Sequence, residues 1–207
     1  VQARNVIAEI RGRDLPEEYV VVGGHLDSWD LGPGPHADGA GVMHSIEALR
    51  ALKALGLRPK RTIRLVLFMS EEVGGVGGKE YALQAKANHE QHVAALESDR
   101  GGFAPVGFSA SSATLARVAA WKPHLSAAGA GKLFVGGTGT DTQWLEEQGV
   151  PSFELIPESR HYFDYHHSAS DRLETVDPEQ LKAGAAAVAV FAYVAAELGV
   201  APVSSVR

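Results

Sequence analysis

Histidine and acidic side chains occur in four separate segments of the chain, in combinations that suit metal chemistry. The candidate residues are His25, Asp27, Glu71, Glu72, Asp99, His166 and His167. A ligand histidine often passes its second ring N–H to a carboxylate, and His25 stands one residue before Asp27. Imidazole and carboxylate groups bind hard or borderline cations such as zinc. Coincidence across four segments is improbable, so the set predicts a metal site suited to hydrolysis.

Each segment also has an interpretation without a metal. A histidine beside an aspartate in a loop is commonly an ordinary hydrogen-bonded pair. Asp99 is followed by Gly101 and Gly102, so it could be a turn aspartate. Glu71 and Glu72 could mark a solvated strand end, but adjacent carboxylates repel each other unless a positive charge compensates. In the metal interpretation, one glutamate binds the ion while its neighbour acts as general base.

Short β-rich runs alternate with helical stretches and bring these residues to one edge of a sheet. The runs "YVVVGG", "IRLVLFMS" and "HVAALES" end just before His25, Glu71 and Asp99. The alternation predicts an α/β fold with a mostly parallel sheet covered by helices. Ligand sites in such sheets collect in loops at the carboxyl ends of strands.

The remaining pattern predicts further strands and helices. We expect strands at 132–136 and 151–156, and helices at 41–55, 78–87, 141–148 and 178–198. Asp177 precedes Pro178 and is expected to cap the last helix. Asp141 is expected either to cap the helix that it begins or to reach the site.

Composition fits one globular domain and restricts its partners. The 207 residues are 45% hydrophobic, which predicts a single globular domain over residues 1–207, or a trimmed piece of a longer chain. A net charge of −6 without a basic run argues against nucleic acid or anionic membrane as partner. The absence of cysteine leaves His, Asp and Glu to hold any metal. The uncharged run 183–196 is shorter than the roughly 18 residues of a membrane span, so none is expected.

Several motifs together resemble the co-catalytic zinc aminopeptidases, and among them most closely the carboxypeptidase Q branch. The segments "GGHLDSWD", "DGAG", "SEEVGGVGGKEYA", "ESDRGGF", "GVPSFEL" and "YHHSASD" occur in the family's order over nearly the whole chain. The resemblance implies a mixed, mostly parallel central sheet sandwiched between helices. It also implies two zinc ions, a short peptide substrate with a free N-terminus, and a protein that is secreted or periplasmic.

The resemblance assigns roles to residues of this chain. His25 and Asp99 would bind one zinc ion, and Glu72 and His167 the other. Glu71 would be the general base. Asp27 would orient His25, and His166 would lie beside the site and help to hold the substrate carbonyl.

One position departs from the family's pattern. The family has two consecutive acidic residues before "GAG", and the first bridges the metals. Aligned from His25, that first position is Ala37, and Asp38 matches the second. Either Asp38 shifts inward or His36 substitutes and the site stays bimetallic, or one zinc remains, or the protein is inactive.

Three functions are consistent with these residues. The favoured one is a zinc exopeptidase, either an aminopeptidase or a dipeptidase, with activity reduced by Ala37. A catalytically inactive binding module on a peptidase scaffold is the second. Glutaminyl cyclase-like acyl transfer, which uses a related scaffold with one zinc, is the third.

Overall fold

A computed structural model describes residues 2–202, which form a seven-stranded sheet with helices packed against it. The strands are β1 (Val6–Ile10), β2 (Leu15–His25), β3 (Arg61–Phe68), β4 (Gln91–Glu97), β5 (Pro105–Ala110), β6 (Lys132–Val135) and β7 (Ser152–Pro157). Their order across the sheet is β1-β3-β2-β4-β7-β5-β6. β1 runs antiparallel to β3 and β5 antiparallel to β7, whereas the other neighbours are parallel. The mixed, mostly parallel sheet implied by the family resemblance is confirmed.

The helices lie where the hydrophobic pattern changes from strand to helix. They are α1 (Ala40–Ala54), α2 (Val76–Ala87), α3 (Ser112–Arg117), α4 (Lys122–Ala127), α5 (Gln143–Glu146), α6 (Tyr162–Tyr165) and α7 (Pro178–Leu198). Asp177 caps α7 as expected, because its Oδ1 accepts hydrogen bonds from the N–H groups of Glu179 and Gln180. Asp141 does not cap α5. Its Oδ1 accepts instead from the Gly78 N–H of α2, at 3.1 Å.

Hydrophobic side chains lie on both faces of the central strands. Val20 and Val22 of β2 belong to a core that includes Phe191 of α7, whereas Val21 belongs to a second core with Tyr81 of α2. Successive side chains of a strand point to opposite faces, so the run of valines fills both cores. A parallel sheet covered on both sides requires such continuous apolar strands.

The long α7 owes its apolar character to packing. By length and composition alone it could cross a membrane, but 56% of its apolar 18-residue stretch is buried in the structure. The Phe191 ring lies 4.9 Å from the ring of Phe108, 5.0 Å from Phe153 and 5.5 Å from Trp121. The helix therefore covers one face of the sheet.

Strand register brings the predicted site residues to one edge of the sheet. His25 at the end of β2 is level with Phe68 at the end of β3, and Gly23 is level with Glu97 at the end of β4. The loops after β3 and β4 begin directly beyond these residues. Consequently Glu71, Glu72 and Asp99 follow strands that end beside His25.

Candidate metal centre

A cavity of about 230 Å³ lies at this edge of the sheet and joins the four sequence segments. Its wall consists mostly of polar side chains: His25, Trp29, Ala37, Glu71, Glu72, Asp99, Thr140, His166 and His167. Six of the seven residues first singled out in the sequence are therefore brought together around one space. Asp27 is the exception, and it lies behind the wall.

His25 is the buried imidazole at the centre of the cluster. It is 2% exposed, and its Nε2 lies 3.4 Å from Asp99 Oδ1 and 3.8 Å from Glu71 Oε2. On the other side of the ring, Nδ1 lies 2.8 Å from the backbone carbonyl oxygen of Asp27. When the ring is neutral, an Nδ1–H donated to that carbonyl leaves Nε2 with a lone pair directed toward the acidic residues.

Asp27 contacts His25 through its main chain, not through its carboxylate as expected. The Asp27 Oδ1 atom is 3.7 Å from His25 Nδ1, which is too far for a hydrogen bond. The two carboxylate oxygens accept instead from the backbone N–H groups of Glu71 at 3.1 Å and Glu72 at 3.2 Å. Asp27 thus fixes the histidine with its main chain and the two glutamates with its side chain.

Glu72 and His167 form a pair across the cavity. His167 Nε2 lies 2.8 Å from Glu72 Oε2. The His167 ring is stacked between the rings of Trp29, at a centroid distance of 4.8 Å, and His166, at 3.6 Å. His166 lines the cavity beside His167, where the sequence analysis placed it.

Ala37 occupies the wall at the position where the family has a bridging carboxylate. It is 3% exposed, and its backbone N–H donates to Asp171 Oδ2 at 3.1 Å. The other Asp171 oxygen accepts from the His36 N–H at 2.9 Å, so one carboxylate holds both residues of this turn. A methyl group that faces the cavity supplies no metal ligand.

His36 does not take the place of that carboxylate. Its Nδ1 accepts a hydrogen bond from the Gly102 N–H at 3.1 Å. Its ring is stacked on Phe103 and Tyr165, with centroids 4.5 and 5.1 Å away. The side chain lies outside the cavity wall, and burial lowers its pKa, so it is a neutral packing residue.

Asp38 is fully buried behind His25 and is already engaged with the main chain. Its Oδ2 accepts from the His25 N–H at 3.1 Å, and its Oδ1 accepts from the Gly41 N–H at 2.9 Å. One of its oxygens nevertheless lies within 4.8 Å of a His25 ring nitrogen and of an Asp99 oxygen. Its assignment as a metal ligand remains a prediction.

The electrostatics of the site reflect an excess of negative charge. Burial opposes protonation of His25, but Asp99 and Asp38 outweigh it and raise the pKa of His25 to about 11. Burial, and then the charge of Asp99, raises the pKa of the Asp38 carboxyl well above its usual range. Burial likewise raises the pKa of Glu71, against the opposing effect of His25. Acidic groups in such a cluster gain stability from a bound cation.

The residues present suit a divalent metal. Two groups of three have potential ligand atoms within 4.8 Å of one another: His25, Glu71 and Glu72, and His25, Asp38 and Asp99. Glu72 Oε1 is buried and accepts no hydrogen bond within residues 2–202. An orphaned carboxylate oxygen beside a histidine is the donor chemistry that zinc prefers.

Two residues at the site were not assigned from the sequence. Thr140 lines the cavity, and its side chain opposes the rise in the pKa of Glu71. Asn5 holds the glutamate loop from the side of β1, because its Oδ1 accepts from the Met69 N–H and its Nδ2 donates to the Gly77 carbonyl. Neither residue stands in a pattern that distinguishes it from an ordinary polar residue.

Comparison with known proteins points to one peptidase family. Residues 5–192 match the family model for peptidase family M28. Carboxypeptidase Q of Bos taurus is 43% identical over 196 residues, which are 94% of this chain and 42% of the bovine protein. A peptidase M28 precursor from Shewanella amazonensis is 37% identical with a TM-score of 0.88, and the match covers 96% of this chain and 46% of that one.

A zinc aminopeptidase from Bacillus subtilis shares the fold at lower identity. It has a TM-score of 0.77 and 20% identity, and the match covers 93% of this chain and 50% of that one. The chain thus spans less than half the length of the carboxypeptidase Q that it matches.

Proposed function

This chain belongs to peptidase family M28, and from that premise we propose that it is the catalytic part of a zinc-dependent exopeptidase, an aminopeptidase or dipeptidase, that hydrolyses short peptides. In this proposal the candidate zinc ligands are His25, Asp99, Glu72 and His167, and Glu71 is the general base. Ala37 reduces the activity.

The position of Glu71 is the observation that supports this proposal most directly. Its carboxylate lines the cavity 3.8 Å from His25 Nε2, and Asp27 fixes its backbone. Burial raises its pKa, which brings the carboxylate closer to the pKa range of an effective general base near neutral pH. Its neighbour Glu72 pairs with His167 instead.

The chemistry divides between the ion and the protein. When bound, zinc supplies a Lewis acid that acidifies water and polarises a carbonyl group. Glu71 takes a proton from the attacking water and returns it to the leaving amine. The His166 ring lies on the cavity wall, where an imidazole N–H can donate to the substrate carbonyl oxygen.

Cavity size favours small substrates. A volume of about 230 Å³ lies below the roughly 300–1,000 Å³ of pockets that hold drug-sized ligands. Trp29, which is 43% exposed, forms the one large apolar surface of the wall. We therefore propose a dipeptide or short peptide with a free N-terminus as substrate, in a secreted or periplasmic protein, with neither nucleic acid nor membrane as a partner.

A matched pair of substrates tests this function. The zinc-loaded chain is incubated with a panel of dipeptides and with the same dipeptides N-acetylated, and released amino acids are quantified. We expect hydrolysis of the free dipeptides alone, loss of activity after chelation, and recovery when zinc is returned. Equal hydrolysis of the acetylated peptides would refute the requirement for a free N-terminus and, with it, the aminopeptidase or dipeptidase assignment.

A binding module on a peptidase scaffold is the second candidate, and Ala37 is the observation that favours it. The two candidates differ in their response to Ala37→Asp. In the exopeptidase this substitution raises the rate of dipeptide hydrolysis, because it returns the family's bridging carboxylate to the cavity wall. If Ala37→Asp binds zinc but hydrolyses none of the panel, the protein is a binding module.

A further inference from the structure

We infer that this chain holds one divalent cation instead of two, at His25 and Asp99 with Asp38 as the adjoining carboxylate, while Glu72 and His167 remain paired with each other. The inference rests on the proposed metal site. It follows from Ala37 and from the spacing of the remaining donors.

Ala37 removes the residue that would join two metal positions. With the methyl group there, the cavity wall divides into two donor pairs, His25 with Asp99 and Glu72 with His167. Each pair alone is short of the three protein ligands that zinc usually has in a catalytic site. A pair must therefore recruit a further protein donor to hold an ion tightly.

The distance between the two donor atoms suits a metal ion in the first pair but not in the second. Zinc–nitrogen and zinc–oxygen bonds of about 2.0–2.1 Å in a tetrahedral site place two ligand atoms roughly 3.3–3.4 Å apart. His25 Nε2 and Asp99 Oδ1 are 3.4 Å apart, which matches that separation. His167 Nε2 and Glu72 Oε2 are 2.8 Å apart, the length of a charge-assisted hydrogen bond. The donor atoms of the first pair are far enough apart to bind one ion, whereas those of the second pair contact each other directly.

A third protein donor is available only to the first pair among the described residues. Asp38, His25 and Asp99 have ligand atoms within 4.8 Å of one another, whereas His167 belongs to no such group of three. Asp38 is 1% exposed, and both its oxygens keep lone pairs beyond the one backbone hydrogen bond that each accepts. Glu72 does belong to a group of three, with His25 and Glu71, but that group shares His25 with the first site and does not include His167.

The solvent exposure of the two histidines also favours a metal ion at His25. His25 is 2% exposed and its ring is fixed by the Asp27 carbonyl, so little ordering is needed when an ion binds. The His167 side chain is 33% exposed and lies in the loop after α6. A rigid, buried histidine binds a metal more tightly than a solvated one.

The number of zinc ions bound per chain tests this inference. Apoprotein prepared with a chelator is titrated with zinc, and the ions are counted by native mass spectrometry and calorimetry. We expect one ion for the wild type and one, with affinity within about threefold, for His167→Ala. We expect His25→Ala to weaken binding on the order of 100-fold or more, because a direct ligand should matter at least as much as the residues behind it. Asp99→Asn, which keeps the size of the side chain, should have the same effect and covers the case in which His25→Ala fails to fold.

Matched variants show whether Ala37 is the cause. Ala37→Asp should bind two ions, and the further change His167→Ala in that background should return the number to one. His124→Ala, which removes a surface histidine outside the cavity wall, should bind one ion as the wild type does. Two tight ions in the wild type, one in Ala37→Asp, or loss of the ion from His167→Ala but not from His25→Ala, would each overturn the inference.

The number of bound ions and the proposed function can be refuted independently of each other. A wild type that binds two ions and hydrolyses dipeptides contradicts the single site and leaves the exopeptidase standing. A wild type that binds one ion, with an Ala37→Asp variant that binds two and hydrolyses no dipeptide, contradicts the exopeptidase and leaves the single site standing.

Discussion

Replacing Asp27 with alanine should destabilise the protein by detaching the loop that carries both glutamates. The carboxylate accepts two backbone hydrogen bonds, from Glu71 at 3.1 Å and Glu72 at 3.2 Å. A hydrogen bond to a charged group contributes roughly 1.5–3 kcal/mol. The side chain is 18% exposed, so water replaces part of the loss, and removal of one negative charge from an acidic site offsets a further part.

We therefore expect the free energy of unfolding to fall by about 2–4 kcal/mol in Asp27→Ala. Asp27→Asn keeps one acceptor oxygen but places its NH₂ group, a donor, against a backbone N–H that is also a donor. The fall in its unfolding free energy should therefore be at least half of that in Asp27→Ala. Urea unfolding of the zinc-free proteins measures both values, because bound metal would add its own contribution to stability.

Asp30→Ala is the matched control, since Asp30 lies in the same loop and is exposed. Its unfolding free energy should stay within about 0.5 kcal/mol of the wild type. An Asp27→Ala variant that is as stable as Asp30→Ala would refute the view that Asp27 holds the glutamate loop.

Two further predictions concern the core. Phe191→Ala should lower the unfolding free energy by about 3–5 kcal/mol in urea, because the fully buried ring leaves a cavity among Phe108, Phe153 and Trp121; a loss below about 1 kcal/mol would contradict this packing. Burial lowers the pKa of His44 from 6.5 to about 4, so the unfolded chain binds the proton first as the pH falls, and stability is lost progressively below pH 6.5. Between pH 7 and pH 5 this loss of unfolding free energy is about 2 kcal/mol. When urea unfolding is measured at pH 7 and at pH 5, the unfolding free energy of His44→Gln should therefore change less than that of the wild type, by about 2 kcal/mol. An equal change in the two proteins would contradict the lowered pKa of His44.

The sheet and its site edge could be predicted because the relevant strands are continuous apolar runs. β2, β3 and β4 each end within a few residues of an acidic or histidine side chain, and parallel strands bring those ends together. The predicted helices 41–55, 78–87 and 178–198 correspond to α1, α2 and α7 within two residues at each end. Caps, glycines and hydrophobic periodicity are local signals, so one sequence is sufficient to read them.

The sequence did not predict strands and helices whose local hydrophobic pattern is weak. β5 contains Pro105 and Gly107, both depleted in strands, and it forms because β6 and β7 supply partners on either side. The short helices α3 and α4 are each six residues long, too short for a clear apolar period. The predicted helix 141–148 shortens to the four residues of α5.

Side-chain partners at the site depend on loop conformation, which the sequence does not encode locally. The sequence predicted contact between Asp27 and His25, but the carbonyl makes it while the carboxylate holds the glutamates. The position of the His36 ring depends on Phe103 and Tyr165, which stack on it from distant segments. Such contacts become visible only when the loops are folded together.

Hydrolysis by the zinc-loaded wild type and by Glu71→Gln, compared at equal metal content, tests the central claim most directly. Glutamine fills the same space and cannot accept the proton of water. We predict that Glu71→Gln keeps its zinc and loses on the order of 100-fold or more in kcat/KM for a free dipeptide. A Glu71→Gln variant that hydrolyses the dipeptide as fast as the wild type would contradict the role of Glu71 and, with it, the proposed mechanism.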